Sequence, residues 1–206
     1  MKLEPHIKTR FHGYLPVIID VETGGLNPDT DALLEIAAVF VDFNPEGWLV
    51  PVDRYCNHIQ AFEGARLDAE ALEINRIDPD YPLRFAEPEK KVLSEFFEKV
   101  YEKLNATGCR LAVLVGHNAH FDLSFIQEAI KRCQIEASPF HSFTCFDTAT
   151  LSAVIYGKTV LAKALYAAGI SFNKEEAHSA VYDVEKTAEL FCKIVNRVKG
   201  IGMSKG

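Results

Sequence analysis

The chain of 206 residues is 48% hydrophobic and 25% charged, an ordinary composition for a globular protein that forms a single domain. It has no apolar run near the roughly 20 residues of a membrane span, and its polar N-terminus does not resemble a secretory signal. Five scattered cysteines without CxxC spacing argue against a disulfide framework or zinc site and predict reduced thiols in the cytoplasm. The formal net charge of −7 requires that any capture of nucleic acid depend on a local basic patch.

The first half of the chain predicts three strands followed by two helices. Residues 1–15 are interpreted as an arm or loop. Strands are expected at about 16–22, 34–42 and 48–60, and their short connections predict an antiparallel meander. A short helix is predicted over 67–74. After a proline-rich loop, an amphipathic helix is predicted from apolar residues at every fourth position, namely Val92, Phe96, Val100 and Leu104.

The second half alternates strands with helices. Strands are predicted at 111–116 and about 143–146, and helices at about 121–134, 148–156, 159–169 and from Val181 to near Gly200. A meander followed by this alternation predicts an α/β fold, with a mixed five-stranded sheet flanked by helices. We interpret residues 1–206 as one domain that ends in a disordered tail over 200–206.

The end of the first predicted strand carries two carboxylates, Asp20 and Glu22. Residues i and i+2 of a strand point to the same face, so both carboxylates project side by side. Two like charges at this distance repel unless a cation lies between them, and a divalent metal held by carboxylate oxygens is such a cation. Gly24 and Gly25 then allow a tight turn away from the site. The alternative is a solvated pair of acids in a loop.

Two other predicted helices begin with acidic residues. Asp122 lies near the first turn of the helix after the 111–116 strand, and Asp183 near the start of the last helix. His178 precedes Asp183 by five residues. On a continuous helix, five residues correspond to a rotation of about 500°, so the two side chains would point about 140° apart. His178 is therefore expected in the loop before the last helix, where a histidine can swing in as a general base. The alternatives are a helix-capping Asp and a surface histidine.

Three motifs carry a resemblance to a known family: Asp20–Gly24 (DVETG), His117–Asp122 (HNAHFD) and His178–Asp183 (HSAVYD). Their order and spacing resemble the DEDDh 3′→5′ exonucleases, which implies an RNase H-like exonuclease fold. The resemblance implies that two Mg²⁺ ions, for which Mn²⁺ can substitute, are held by Asp20, Glu22, Asp122 and Asp183. It also implies that His178 is the catalytic base and that nucleoside 5′-monophosphates are released. The neighbouring His120 is interpreted as a surface residue.

Further stretches over nearly the whole chain resemble the members of this family that process RNA. They are Thr30–Ala38, Gly47–Trp48, Ile77–Pro79, Pro139–His141, Phe146–Ala149 and Phe191–Arg197. This resemblance implies a cytoplasmic homodimer that trims the 3′ ends of tRNA, rRNA precursors and other stable RNAs. The implied partner is RNA with a single-stranded 3′ end, with DNA as an alternative, and no membrane.

The resemblance also implies a set of substrate-binding residues: Arg10, Thr23, Leu26, Glu70, Ile74, Phe121 and Phe143. Phe121 and Phe143 match positions where rings stack on the terminal bases, and packing in the core is the alternative. Leu26 and Ile74 stand where the family has phenylalanine, and an aliphatic side chain stacks less well on a base. Glu70 matches an acid that holds the terminal nucleotide. Thr23 matches a contact to its ribose.

The chain has fewer basic residues at the expected RNA-binding positions than the resemblance implies. Arg10 is kept, but neutral or acidic residues and a histidine stand where further basic residues are expected, at His12, Asn105, Glu136 and Ala137. Four other cations are candidates to compensate, namely Lys8, Arg110, Lys131 and Arg132. Because neutralising phosphates makes binding steeply salt-dependent, the salt slope measures the strength of this patch.

Three other functions compete with an exoribonuclease. A DEDDh exonuclease acting mainly on single-stranded DNA or DNA 3′ ends, in proofreading or repair, has the same metal-binding residues, but the nearly full-length resemblance favours RNA. An inactive nucleic-acid-binding module is disfavoured because all five motif residues are present. A zinc enzyme is disfavoured because no His or Cys pair has ligand spacing.

Overall fold

The first strand lies in the middle of a five-stranded sheet with the order β3-β2-β1-β4-β5. The computed structural model describes residues 6–173 and 179–199. The strands are β1 (Tyr14–Thr23), β2 (Leu33–Phe43), β3 (Leu49–His58), β4 (Leu111–Gly116) and β5 (Phe140–Asp147). β1, β2 and β3 pair antiparallel, whereas β4 is parallel to both β1 and β5. The predicted meander and the mixed five-stranded sheet are therefore confirmed.

Helices follow the strands at the positions that the periodicity predicts, with one short addition at the N-terminus. They are α1 (Ile7–Arg10), α2 (Ala69–Asn75), α3 (Glu89–Thr107), α4 (His120–Arg132), α5 (Thr148–Tyr156), α6 (Leu161–Ala168) and α7 (Ala180–Arg197). A 3₁₀ turn spans Pro82–Arg84. Among the described residues, no helix combines the length and the apolar character that crossing a membrane requires.

The position of β1 in the core explains why its sequence is a continuous run of apolar residues. Val17, Ile18 and Ile19 are consecutive and all buried, so both faces of this strand are covered. The four α3 residues of the predicted four-residue repeat are all buried as well, which is the apolar stripe of an amphipathic helix. A smaller apolar cluster joins α6 to α7 through Ala164, Leu165, Ala168, Leu190 and Ile194.

The N-terminal segment is not the free arm or loop that the sequence predicts for residues 1–15. The Ile7 side chain of α1 is fully buried, and the Phe11 ring packs 5.9 Å from the Phe146 ring and 6.0 Å from the Phe191 ring. Burial of these two apolar side chains anchors the segment to the core, and β1 begins at Tyr14 rather than near 16. Residues 1–5 and the predicted tail at 200–206 lie outside the described residues.

Candidate active site

Asp20 and Glu22 lie near the carboxyl end of β1, on the same face of the strand, and both are partly buried. Burial makes the largest contribution, and together with the negative charges of Glu35, Asp183 and Asp122, in that order, it raises the pKa of Glu22 to about 8. The pKa of Asp20 is also raised well above its usual value, first by burial and then by the neighbouring acids, of which Asp122 comes first. Each raised pKa shows that the carboxylate charge is costly in this position.

Asp122 is held against β1 by a hydrogen bond to the backbone. Its Oδ1 accepts the N–H of Val21 at 3.1 Å, so the carboxylate lies beside the residue that separates Asp20 from Glu22. Only 5% of Asp122 is exposed, and burial raises its pKa to about 7, although hydrogen bonds from backbone N–H groups oppose the change. A Cβ on Gly116 would lie 2.9 Å from Asp122 Oδ2, so the close approach of β4 requires glycine there.

The last helix contributes the fourth carboxylate. Asp183 lies in the first turn of α7, and its charge raises the pKa of both Asp20 and Glu22. His178, the predicted catalytic base, lies outside the described residues, so its role stays a prediction. Within residues 6–173 and 179–199, no three Asp, Glu, His or Cys side chains are close enough to form a metal cage as they stand. The four carboxylates thus share one electrostatic environment without forming a closed ligand set.

The arrangement of these carboxylates is more favourable with a bound divalent cation than without one. Three separate elements, β1, α4 and α7, each direct carboxylate groups toward the same region, and the pKa values of Asp20, Glu22 and Asp122 rise with burial. A bound cation would remove this mutual repulsion and favour the ionised carboxylates. All four donors are carboxylate oxygens, which suit Mg²⁺, Mn²⁺ or Ca²⁺ rather than a site built from thiolates and imidazoles.

Glu35 is a further acidic residue of this site that the sequence analysis did not select. It lies opposite Glu22 in the β1–β2 register, it is buried, and its charge contributes to the raised pKa of Glu22. Glu35 Oε2 is 3.3 Å from Nδ1 of His58, and the Cys56 thiol donates to its Oε1 at 3.5 Å. A lone Glu inside an apolar strand was the available signal, because such a charge is rarely buried without partners.

The role of the glycines after β1 differs from the prediction. Neither Gly24 nor Gly25 has a positive φ, so the turn does not need their conformational freedom. A Cβ on Gly25 would lie 2.0 Å from Asp31 Oδ2, and one on Gly24 would lie 2.9 Å from the Arg66 carbonyl oxygen. These glycines therefore permit close packing of the segment behind the site.

Three of the predicted substrate contacts are exposed apolar side chains. Leu26 is 84% exposed, Ile74 51% and Phe143 79%. α2, which carries Ile74, is tied to the end of β1 by a 3.0 Å hydrogen bond from Asn75 Nδ2 to the Thr23 carbonyl oxygen. Single exposed apolar side chains are common, but these three are large; Leu26 follows the end of β1, whereas Phe143 lies within β5.

The remaining predicted contacts differ in accessibility. Glu70 is exposed in the first turn of α2, and Arg10 is exposed with its guanidinium 5.4 Å from the centre of the Phe11 ring. Phe121 is partly buried and its ring packs 5.0 Å from that of Phe125, so it belongs in part to the core. The Thr23 side chain is buried, and its hydroxyl donates to the Gly25 carbonyl oxygen at 2.6 Å.

The structure corrects the expectation that Arg132 supplements the basic surface. Its guanidinium forms two hydrogen bonds to the buried Glu89 carboxylate, Nη2 to Oε1 at 2.7 Å and Nε to Oε2 at 3.0 Å. It also lies 4.0 Å from the centre of the Phe62 ring. The Arg132 charge therefore compensates that of the buried Glu89 carboxylate. Lys131 is exposed but pairs with Glu128, and the Arg110 guanidinium lies over the Tyr14 ring.

The chain is similar to known exonucleases over most of its length. A sequence-family model described as an exonuclease matches residues 17–191. A ribonuclease T from Actinobacillus pleuropneumoniae serotype 5b (strain L20) is 54% identical over 197 residues, which cover 95% of this chain and 90% of the relative.

Two solved structures show the shared fold. The nuclease domain of 3′hExo, a DEDDh family member bound to rAMP, superposes with a TM-score of 0.64 at 16% identity, over 91% of this chain and 92% of that domain. E. coli exonuclease I in complex with a dT13 oligonucleotide also gives a TM-score of 0.64 at 16% identity over 91% of this chain, which spans only 42% of that protein. The predicted RNase H-like exonuclease fold is therefore confirmed.

Proposed function

The chain belongs to the ribonuclease T family of 3′→5′ exonucleases, and we propose that it is a Mg²⁺-dependent enzyme that trims the single-stranded 3′ ends of tRNA and other stable RNAs. A 3′→5′ exoribonuclease activity agrees with the family, and a DEDDh exonuclease requires divalent metal. The proposal adds the identity of the metal, the RNA class, the residues and the assembly.

The observation that carries the proposal is the convergence of carboxylates from three elements, where burial and the neighbouring acids raise the pKa values of Asp20 and Glu22, and burial raises that of Asp122. Asp20, Glu22, Asp122 and Asp183 would hold two Mg²⁺ ions. When bound, such a pair of ions stabilises the attacking and leaving oxygens of an in-line displacement at phosphorus. The oxygen-only donor set supports Mg²⁺ over Zn²⁺, because structural and catalytic zinc sites usually include His or Cys.

The protein groups around these acids have distinct roles in the proposal. His178 accepts the proton of the attacking water as the general base. The Val21 N–H holds the Asp122 carboxylate in place, since this hydrogen bond spans from β1 to α4. The products are nucleoside 5′-monophosphates.

Substrate binding is proposed to depend on the exposed apolar side chains. Leu26, Ile74 and Phe143 contact the last bases of the strand, and Phe143 provides a stacking surface that accepts every base. Glu70 and Thr23 contact the terminal nucleotide, and Arg10 contacts the backbone phosphates further along the strand. Phe121 stacks only through the part of its ring that the Phe125 contact leaves open.

The experiment that tests this proposal compares RNA with DNA. A 5′-labelled tRNA-like RNA with a single-stranded 3′ end, and DNA of matching sequence, are incubated with the protein in Mg²⁺ or in EDTA. We expect stepwise shortening of the RNA and release of 5′-monophosphates in Mg²⁺ only. Shortening of neither strand would contradict the enzymatic proposal. Faster shortening of DNA would favour the alternative, an exonuclease that acts mainly on single-stranded DNA. The structural neighbour exonuclease I forms a complex with a DNA oligonucleotide, dT13.

The assembly and location are also part of the proposal. A cytoplasmic homodimer agrees with the family resemblance and with the reduced, unpaired thiols. Sedimentation at several protein concentrations measures the assembly directly. A monomer at the concentrations used in the trimming assay would contradict the dimer while leaving the chemistry untouched.

A further inference from the structure

β5 contains an irregular segment, 141–144, that presents Phe143 to solvent. Ala112 pairs with Phe140 and Leu114 with Cys145, so two steps along β4 are matched by five along β5. The extra residues bulge out of the ladder, and Phe143 in the bulge is 79% exposed. Bulges of this kind redirect a side chain at the cost of unpaired backbone groups.

His141 satisfies the backbone groups that the bulge releases. Its Nδ1 accepts the N–H of Phe143 at 3.4 Å and the N–H of Thr144 at 3.1 Å. An accepting Nδ1 requires the neutral ring with its proton on Nε2. From α4, the Gln127 amide donates to the Ser142 carbonyl oxygen. Side chains thus hold two N–H groups and one carbonyl group of the bulge.

The His141 ring also packs directly against the ring of Phe143. The two ring centres are 4.5 Å apart at an interplanar angle of 89°, an edge-to-face contact. On its other side, His141 contacts Tyr14, with ring centres 5.5 Å apart at 82°. Tyr14 belongs to the central strand β1, so this chain of rings connects the exposed Phe143 to the rigid part of the sheet.

We propose that His141 is a positioning residue that fixes the bulge and holds Phe143 ready to stack on a base of the single-stranded substrate. An exposed ring on an unrestrained loop would lose conformational entropy when a base binds, and this loss would weaken binding. A ring that is already held in place loses less entropy and therefore binds the base more tightly. The inference rests on the proposed function, in which Phe143 contacts the 3′ end. It adds that the affinity provided by Phe143 depends on the hydrogen bonds of His141.

Kinetics of RNA trimming test this role through a double-mutant cycle. Phe143→Ala is expected to raise KM about tenfold and His141→Ala about fivefold, each with kcat within about twofold of wild type, since base stacking contributes to binding. The double variant is expected to match Phe143→Ala alone, because the two residues act as one unit. Tyr166→Ala, which removes an exposed ring from α6, is the matched control and is expected to leave KM unchanged.

A conservative variant separates positioning from packing. Asn at position 141 offers an Oδ1 that can accept the N–H groups two and three residues later, as in an Asx turn. His141→Asn is therefore expected to restore KM to within about twofold of wild type, although it lacks the ring. Losses that add in the double variant, or an Asn variant as impaired as the Ala variant, would overturn the proposal.

Amide hydrogen exchange tests the same proposal without enzymatic activity. The N–H groups of Phe143 and Thr144 are expected to exchange at least tenfold faster in His141→Ala than in wild type or His141→Asn. Gln127→Ala, which loosens the bulge from α4, provides a second variant if His141→Ala does not fold, and is expected to accelerate the same exchange. Unchanged exchange in His141→Ala, or in Gln127→Ala where it is used instead, would contradict the proposal that these contacts fix the bulge. Failure of wild type to trim RNA would instead contradict the proposed function.

Discussion

The Asp122 carboxylate accepts a 3.1 Å hydrogen bond from the N–H of Val21, the residue between Asp20 and Glu22. This bond joins the start of α4 to the end of β1 and places a third acid beside the first two. It also means that Asp122 has a structural partner independent of any metal. The carboxylate can therefore be neutralised without losing the contact that positions it.

Asp122→Asn is expected to reduce kcat for Mg²⁺-dependent trimming about a thousandfold, because it removes one of the proposed metal ligands. Asn keeps an oxygen that accepts the Val21 N–H, so the fold is expected to persist. Mg²⁺ is expected to raise the unfolding temperature of wild type and to raise that of the variant much less. Glu98→Gln, which neutralises an exposed acid on α3, is the matched control. Equal Mg²⁺ stabilisation of both proteins would contradict the ligand assignment.

Glu35→Gln is expected to move the acidic limb of the pH profile to lower pH. The pKa of Glu22 is raised to about 8, first by burial and next by the negative charge of Glu35. Without that charge the pKa of Glu22 falls, so Glu22 ionises and binds metal at lower pH. We expect kcat/KM at pH 6, relative to its plateau, to increase about threefold. The profile is measured from pH 5 to 9 with Glu98→Gln alongside. A limb that moves to higher pH would show that Glu35 does not act through Glu22.

His178→Ala is expected to lower kcat about 100- to 10,000-fold, the range of a lost general base, while Mg²⁺ still stabilises the protein. His120→Ala is the matched control, because His120 is an exposed histidine at the first position of α4. Its kcat is expected to stay within about twofold of wild type. Loss of turnover in His120→Ala rather than His178→Ala would reverse the assignment of the base.

Leu26→Phe is expected to tighten binding of single-stranded RNA about fivefold, because an aromatic ring stacks on a base better than an aliphatic side chain. Affinity is measured by fluorescence anisotropy in the Asp122→Asn background, which prevents cleavage. Val52→Phe is the control. Val52 is exposed on β3 next to Asp53, which pairs with Phe40. It is therefore several residues along the ladder from His58, which pairs with Glu35. Equal gains for both variants would indicate a nonspecific effect of exposed rings.

Arg132→Gln is expected to lower the free energy of unfolding by about 3 kcal/mol, because it leaves the buried Glu89 carboxylate without its partner. Urea unfolding measures this change. The surface pair of Lys131 provides a control, and Lys131→Gln is expected to change stability by less than about 0.5 kcal/mol.

The same substitution separates structural from RNA-binding cations. Arg132→Gln is expected to leave the slope of log affinity against log salt unchanged, whereas Arg10→Gln reduces it by about one. A reduced slope for Arg132→Gln would show that this side chain reaches phosphate despite its contacts with Glu89.

The pattern of residue types was sufficient to predict the strands, the main helices and the candidate acids. Apolar periodicity located the five strands and the main helices, because burial of one face or both faces repeats at the spacing of the local backbone. The three motifs predicted the exonuclease fold and the acids at the ends of β1, α4 and α7. The roles of these residues stay predictions that the experiments above test.

The contacts between distant segments followed from the folded structure and not from local sequence patterns. Strand register placed Glu35 opposite Glu22, and the packing of α3 on α4 paired Arg132 with Glu89. The bulge in β5 exposed Phe143, and close approach rather than a positive φ explained Gly25. Local sequence spacing cannot specify such relationships, because register, burial and pairing depend on which elements meet in the folded chain. Asp20 and Asp122 are 102 residues apart in the sequence, and in the folded chain a hydrogen bond from the Val21 N–H holds the Asp122 carboxylate beside β1.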